Sequence, residues 1–170
     1  MDWMEKIRYL KKRQELKDYD KNKYYIDVSF SKNRWPQGEL ESIIKPYNYV
    51  PRAYIDFIKE FDHIGLSFVS FYGSKKASAY VTLEDYISEF KEYLKEDYFP
   101  FGKDPEGGVF AFNRAGEVIL FEYNDYEFEN PIKLADSFGE FIGEYALGKN
   151  GWSGEADNDF YRFLKSLGWV

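Results

Sequence analysis

Acid–base or nucleophilic chemistry in this sequence would have to draw on one histidine and thirty carboxylates. Any Ser-His-Asp triad or histidine metal pair must use His63, in Phe61-Asp62-His63-Ile64-Gly65. That place closes a helical stripe, where an imidazole interacts well with the helix dipole, so His63 reads as a capping residue. No Gly-x-Ser-x-Gly elbow supports a serine nucleophile. Hydrolysis by paired carboxylates needs two acids a few ångströms apart. Asp125, Glu127 and Glu129 in "NDYEFEN" would share one face if extended. Like charges on one face disfavour a strand unless a cation meets them, so the segment reads as a solvated loop or as a patch for a cationic partner. Glu155, Asp157 and Asp159 precede the last helical pattern. Negative charge is stabilising at a helix N-terminus, and Asp157 or Asp159 is the expected cap.

Asp104-Pro105-Glu106-Gly107-Gly108 has the composition of a tight turn, with Asp and Pro initiating it and the glycines accepting positive φ. It lacks the Lys-Ser/Thr ending of a phosphate-binding loop and the alternating ligands of a calcium loop. Its acids, Asp104 and Glu106, remain candidates for a partner surface. Trp35, Trp152 and Trp169 stand off the apolar stripes. A tryptophan beside acids, as Trp152 is, suits a protein-binding hot spot or a sugar platform, with burial under a loop as the alternative. The sequence suggests no cofactor and no metal site.

These residues must be positioned by a framework that the periodicities outline. Residues 3–16 place Trp3, Met4, Ile7 and Leu10 at helical spacing with a basic outer face, and "YYIDVSF" (24–30) alternates as a strand. Pro51 opens a helix carrying Tyr54, Phe57, Ile58 and Phe61. "GLSFVSFYG" (65–73) reads as one β run and "SAYVTL" (78–83) as another. Thr82 and Asp85 form a capping box for a helix with Tyr86, Ile87, Phe90 and Leu94, ending near Glu96. "YFPF", "GVFAFN" and "EVILFEY" form a meander, the last two joined through Arg114-Ala115-Gly116, and "IKL" (132–134) adds an edge strand. Asp136 is the expected cap of a helix with Phe138, Phe141, Ile142 and Tyr145, stopped by Gly148; Phe160, Phe163, Leu164 and Leu167 form a last helix, ended by Gly168. Helices interspersed with antiparallel strands predict an α+β domain.

A chain of 170 residues, 44% hydrophobic and 21% aromatic, is enough for one ring-rich core, and residues 1–170 are expected to form one domain. With no cysteine, there is no disulfide framework or thiolate chemistry. The basic start has no apolar run behind it and no stretch is long enough to span a bilayer, so a soluble, cytoplasmic protein is expected. The net charge is −7, and it is unevenly spread. Residues 1–24 hold 8 Lys/Arg against 5 Asp/Glu, whereas residues 104–170 hold 5 against 13. Such a body repels nucleic acid and membrane phosphates and attracts a basic protein.

The helix "VPRAYIDFIKEF", the turn "FPFGKDPEGGVFAFN", the hairpin partner "GEVILFEYND" and the closing "IKLADSFGEFI" occur in the order seen in the SUKH superfamily, which this chain resembles over roughly Glu39–Leu147. The superfamily takes its name from yeast cell-wall-synthesis regulators and includes many bacterial immunity proteins of polymorphic toxin systems. The resemblance implies an α+β fold without general catalytic activity that works by binding another protein. It implies an immunity-type role, with a cognate toxin, basic and possibly a nuclease, as the partner. A regulatory or scaffold module without a toxin is the alternative; a carboxylate hydrolase or sugar binder is a more distant one. The residues expected to meet the partner are Asp104, Glu106, Asp125, Glu127, Glu129, Trp152, Glu155, Asp157 and Asp159.

Overall fold

Pro51 lies just outside the first turn of its helix, and the four apolar residues that follow at helical spacing are all buried. The computed structural model describes residues 1–15, 27–75, 81–152 and 158–170. Its elements in chain order are α1 (Trp3–Glu15), β1 (Val28–Phe30), α2 (Glu39–Ile44), α3 (Arg52–Phe61), β2 (Ile64–Leu66), β3 (Val69–Phe71) and α4 (Leu83–Leu94). There follow β4 (Tyr98–Lys103), β5 (Val109–Asn113), β6 (Val118–Phe121), β7 (Ile132–Ala135), α5 (Phe138–Glu140), which runs into a π turn (Phe141–Ala146), and α6 (Asp159–Ser166). The strands lie side by side in sequence order, each antiparallel to the next, giving an α+β fold with one seven-stranded sheet.

Rings fill the core. Phe99, Phe101, Phe110 and Phe112 are fully buried from β4 and β5, and Tyr54 of α3 and Phe138 of α5 meet them at centroid distances of 5.2–6.1 Å. On the opposite face α4 covers the sheet: Tyr86 donates from its hydroxyl to Gly102 O (2.9 Å), and Phe90 reaches Phe128. The N-terminal helix docks. Its Ile7 and Leu10 are fully buried, and Trp3 packs edge-on against Phe138 at 5.5 Å. No helix among the described residues is long and apolar enough to cross a membrane.

Tyr54 buries a hydroxyl that has no hydrogen-bond partner, and burial pushes its ionisation far above the ordinary tyrosine range. An unpaired buried hydroxyl costs about 1–3 kcal/mol, while a phenyl ring keeps the packing. Tyr54→Phe is therefore expected to raise stability in urea titration by about 1 kcal/mol. A loss of stability would show that the hydroxyl has a partner in solution.

Several local expectations need correction. The run 65–73 is a hairpin, because the chain reverses at Ser67, a non-glycine residue at φ +52° whose N–H bonds Asp27 O at 2.7 Å. Residues 78–80 of the expected strand lie outside the described residues, and Val81 and Thr82 are not in a strand. Thr82 caps α4 instead: its Oγ1 accepts from Asp85 N (3.0 Å) and its N–H donates to Asp85 Oδ2 (3.1 Å). The cap of α5 is Ser137, accepting from Glu140 N, while Asp136 pairs with Lys133. Beyond Phe141 the helix widens, so that Leu147 N reaches Ile142 O five residues back at 2.9 Å.

Candidate functional site

The antiparallel order puts the β2–β3 turn, the β4–β5 turn (104–108) and the β6–β7 loop (122–131) at one end of the sheet, and the turn at 114–116 at the other. Two of the acidic segments picked out by sequence therefore converge.

Asp104 builds the first. Its Oδ1 accepts from Glu106 N (2.9 Å) and Gly108 N (2.7 Å), so this carboxylate folds the turn. Gly107 at φ +97° lies under the Tyr123 ring, with only 3.0 Å between an added Cβ and Tyr123 Cδ2. The two loops thus touch.

Asp125 builds the second. Its carboxylate accepts from Glu129 N (3.1 Å), Asn130 N (2.8 Å) and Asn130 Nδ2 (3.3 Å). Desolvation pushes the Asp125 carboxyl up, but these hydrogen bonds outweigh it and hold the group below the usual carboxylate range. Phe128, at φ +53°, turns inward onto Phe90, Tyr93 and Phe121 at 5.2–5.4 Å and anchors the loop. The segment is thus a closed turn, and the extended arrangement that would align Asp125, Glu127 and Glu129 on one face is absent.

Folding leaves a distinctive surface here. Segments 104–108 and 122–131 contain six acids, Asp104, Glu106, Glu122, Asp125, Glu127 and Glu129, and no Lys or Arg. Among the described residues none of the six is in an ion pair, whereas Glu41, Glu60, Glu84, Asp97, Glu117 and Asp136 each have a cation. Large apolar side chains are exposed at the same place. Of the five such residues among the described ones, Tyr93, Tyr123, Tyr126 and Ile132 lie in or beside the second loop, and Met1 lies elsewhere. Tyr123 and Tyr126 are 63% and 68% exposed, and their rings meet edge to face at 6.1 Å. Sequence reading missed these tyrosines because a ring off a stripe reads the same whether buried or bare.

The remaining candidates lie apart or are spoken for. Trp152 is half-buried, packed on Phe68 (5.0 Å) and Tyr161 (5.5 Å), with its Nε1 buried and unbonded. Asp159 begins α6, but the cap is Asn158, whose Oδ1 accepts from Phe160 N (2.7 Å). Glu155 and Asp157 lie outside the described residues. Trp35 donates from Nε1 to Ile58 O (2.9 Å), and Trp169 packs on Tyr9.

His63 is not the cap of α3 either. That place belongs to Asp62, at φ +58°, whose N–H bonds Ile58 O. The His63 ring is half-buried with Nδ1 unbonded, and burial lowers its pKa. An imidazole without a carboxylate to orient it is a poor general base. Asp62 was also missed: it is fully buried, and its carboxylate accepts from Ser74 N (2.6 Å) and Ser74 Oγ (2.7 Å). Among the described residues no three of His, Asp and Glu gather as a metal cage.

The site is thus braced by hydrogen bonds, anionic and aromatic, with the attributes of a protein-binding surface. Comparison with known families matches residues 36–144 to the model described as SMI1 / KNR4 family (SUKH-1), close to the span Glu39–Leu147 that carries the resemblance. No curated protein matches the chain.

Proposed function

The chain belongs to the SMI1 / KNR4 family (SUKH-1), and from that membership and the acidic end of its sheet we propose that it is an immunity-type protein that binds and neutralises a basic toxin. The family is not a known enzyme family, and membership fits an immunity or a regulatory role. The observation that favours a basic partner is the convergence of six acids, without an ion pair among the described residues, with exposed tyrosines on preformed loops. Leaving like charges together costs stability, which a cationic partner would recover on binding. Long-range attraction would steer encounter, and Tyr123 and Tyr126 would supply the desolvated anchors. An acidic surface of this kind can occupy the groove in which a nuclease binds phosphates. A stable complex would bury about 1,600 Å² in all.

Within the surface the acids divide by role. Asp104 and Asp125 hold the loops in shape, while Glu106, Glu122, Glu127 and Glu129 present charge. The test is capture on immobilised protein from lysate of the source organism, with elution by salt, followed by expression of each captured polypeptide with and without this chain. The expected result is a polypeptide with a basic domain that kills cells unless this protein is co-expressed. Recovery of regulatory proteins alone, with no toxic species, would favour the regulatory reading instead.

A further inference from the structure

At the far side of the molecule, a cleft of about 470 Å³ opens between α1, the residues following β1 and the end of α3. We propose that it binds a small phosphate-bearing molecule. Its wall carries three cations, Lys11, Lys32 and Arg34, none of them in an ion pair among the described residues. In a chain of net charge −7, three cations gathered on one concavity without a carboxylate partner form a local positive field.

The acids of the cleft do not cancel it. Glu60 is held by Arg8 through two hydrogen bonds of 2.7–2.8 Å, which leaves Glu15 as the carboxylate in the wall without a cation among the described residues. Neutral donors are also in place. Ser31 Oγ accepts from Asn33 N at 3.0 Å, which fixes the side chain and leaves its O–H to donate. Phe30 is half-buried in the wall, its ring 5.8 Å from Phe61, and Lys11 lies over Phe61 with Nζ 5.5 Å from the ring centroid. An arginine fork, two ammonium groups and a hydroxyl are the groups that hold phosphate, and the Phe30 ring offers a flat body a surface to rest on. The volume falls in the range of small-molecule sites. All lining residues except Glu60 precede the family-matched segment, so the cleft is built mostly outside that segment and apart from the acidic surface.

The test is calorimetric titration of the whole protein with pyrophosphate and, separately, with ATP at constant ionic strength. The expected result is saturable binding that weakens at least tenfold in Lys32→Glu/Arg34→Glu and in Lys11→Gln, and is unchanged in Lys45→Gln, a cation outside the cleft. Lys32 and Arg34 are exposed, and circular dichroism of the double variant should match the parent. Pyrophosphate binding as tightly as ATP would assign the cleft to the inorganic ion; tighter ATP binding would assign it to a nucleotide-like ester against Phe30. Absence of binding at millimolar ligand, or binding equal in parent and double variant, would overturn the proposal.

Discussion

Replacing Asp62 with alanine is expected to destabilise the protein by about 3 kcal/mol, which for a chain of this size lowers the melting temperature by roughly 6–12 °C. The carboxylate is completely buried and is the acceptor for both the amide and the hydroxyl of Ser74. Its removal strands two donors away from water, and charge-assisted hydrogen bonds of this kind are worth about 1.5–3 kcal/mol each. Backbone adds to the loss, since Asp62 has φ +58°, a region that alanine resists and glycine accepts. Asp62→Gly should therefore lose less than Asp62→Ala, and Asp62→Ala/Ser74→Ala less than the sum of the single changes. Gly73 reports the same contact from the other side, because an added Cβ there would collide with Asp62 Oδ1 and His63 N. Thermal and urea denaturation of this set would decide the matter. A change below 1 kcal/mol in Asp62→Ala would mean that Ser74 finds other partners.

How much of this was legible beforehand depends on the range over which each feature is encoded. The stripe Tyr54, Phe57, Ile58, Phe61, the Thr82–Asp85 box and the hairpin at Arg114–Gly116 are local patterns, and each is found where its spacing places it. The turn at Ser67 was illegible because nothing in "GLSFVSFYG" announces a positive φ; pairing of β2 with β3 imposes it. Caps were misplaced by one residue at Ser137 and Asn158, since a neighbouring acid is as good a candidate by composition. Asp62 and Ser74 stand twelve residues apart and meet only once α3 and β3 have packed. The acids of the candidate site were visible one by one. Their convergence follows from strand order, and the exposure of Tyr123 and Tyr126 from the inward turn of Phe128.

The second large effect is expected at those tyrosines. Tyr123→Ala/Tyr126→Ala should weaken the complex with a cognate basic partner by roughly a hundredfold or more, mostly through faster dissociation. Both rings are mostly exposed and lie outside the core, Tyr123 resting only on the Gly107 turn, so the overall fold should be kept. Glu106→Lys/Glu127→Lys/Glu129→Lys should act differently, slowing association and flattening its dependence on salt, because these acids steer encounter. Asp104 and Asp125 are left intact in this design, since their carboxylates shape the loops.

The measurement that bears most directly on the central claim is the binding kinetics of the captured partner with the parent, the tyrosine double variant and the glutamate triple variant at low and physiological salt. The expected result is a large rise in dissociation rate for the first variant and a salt-sensitive fall in association rate for the second. Unchanged kinetics in both would place the docking surface elsewhere on the molecule.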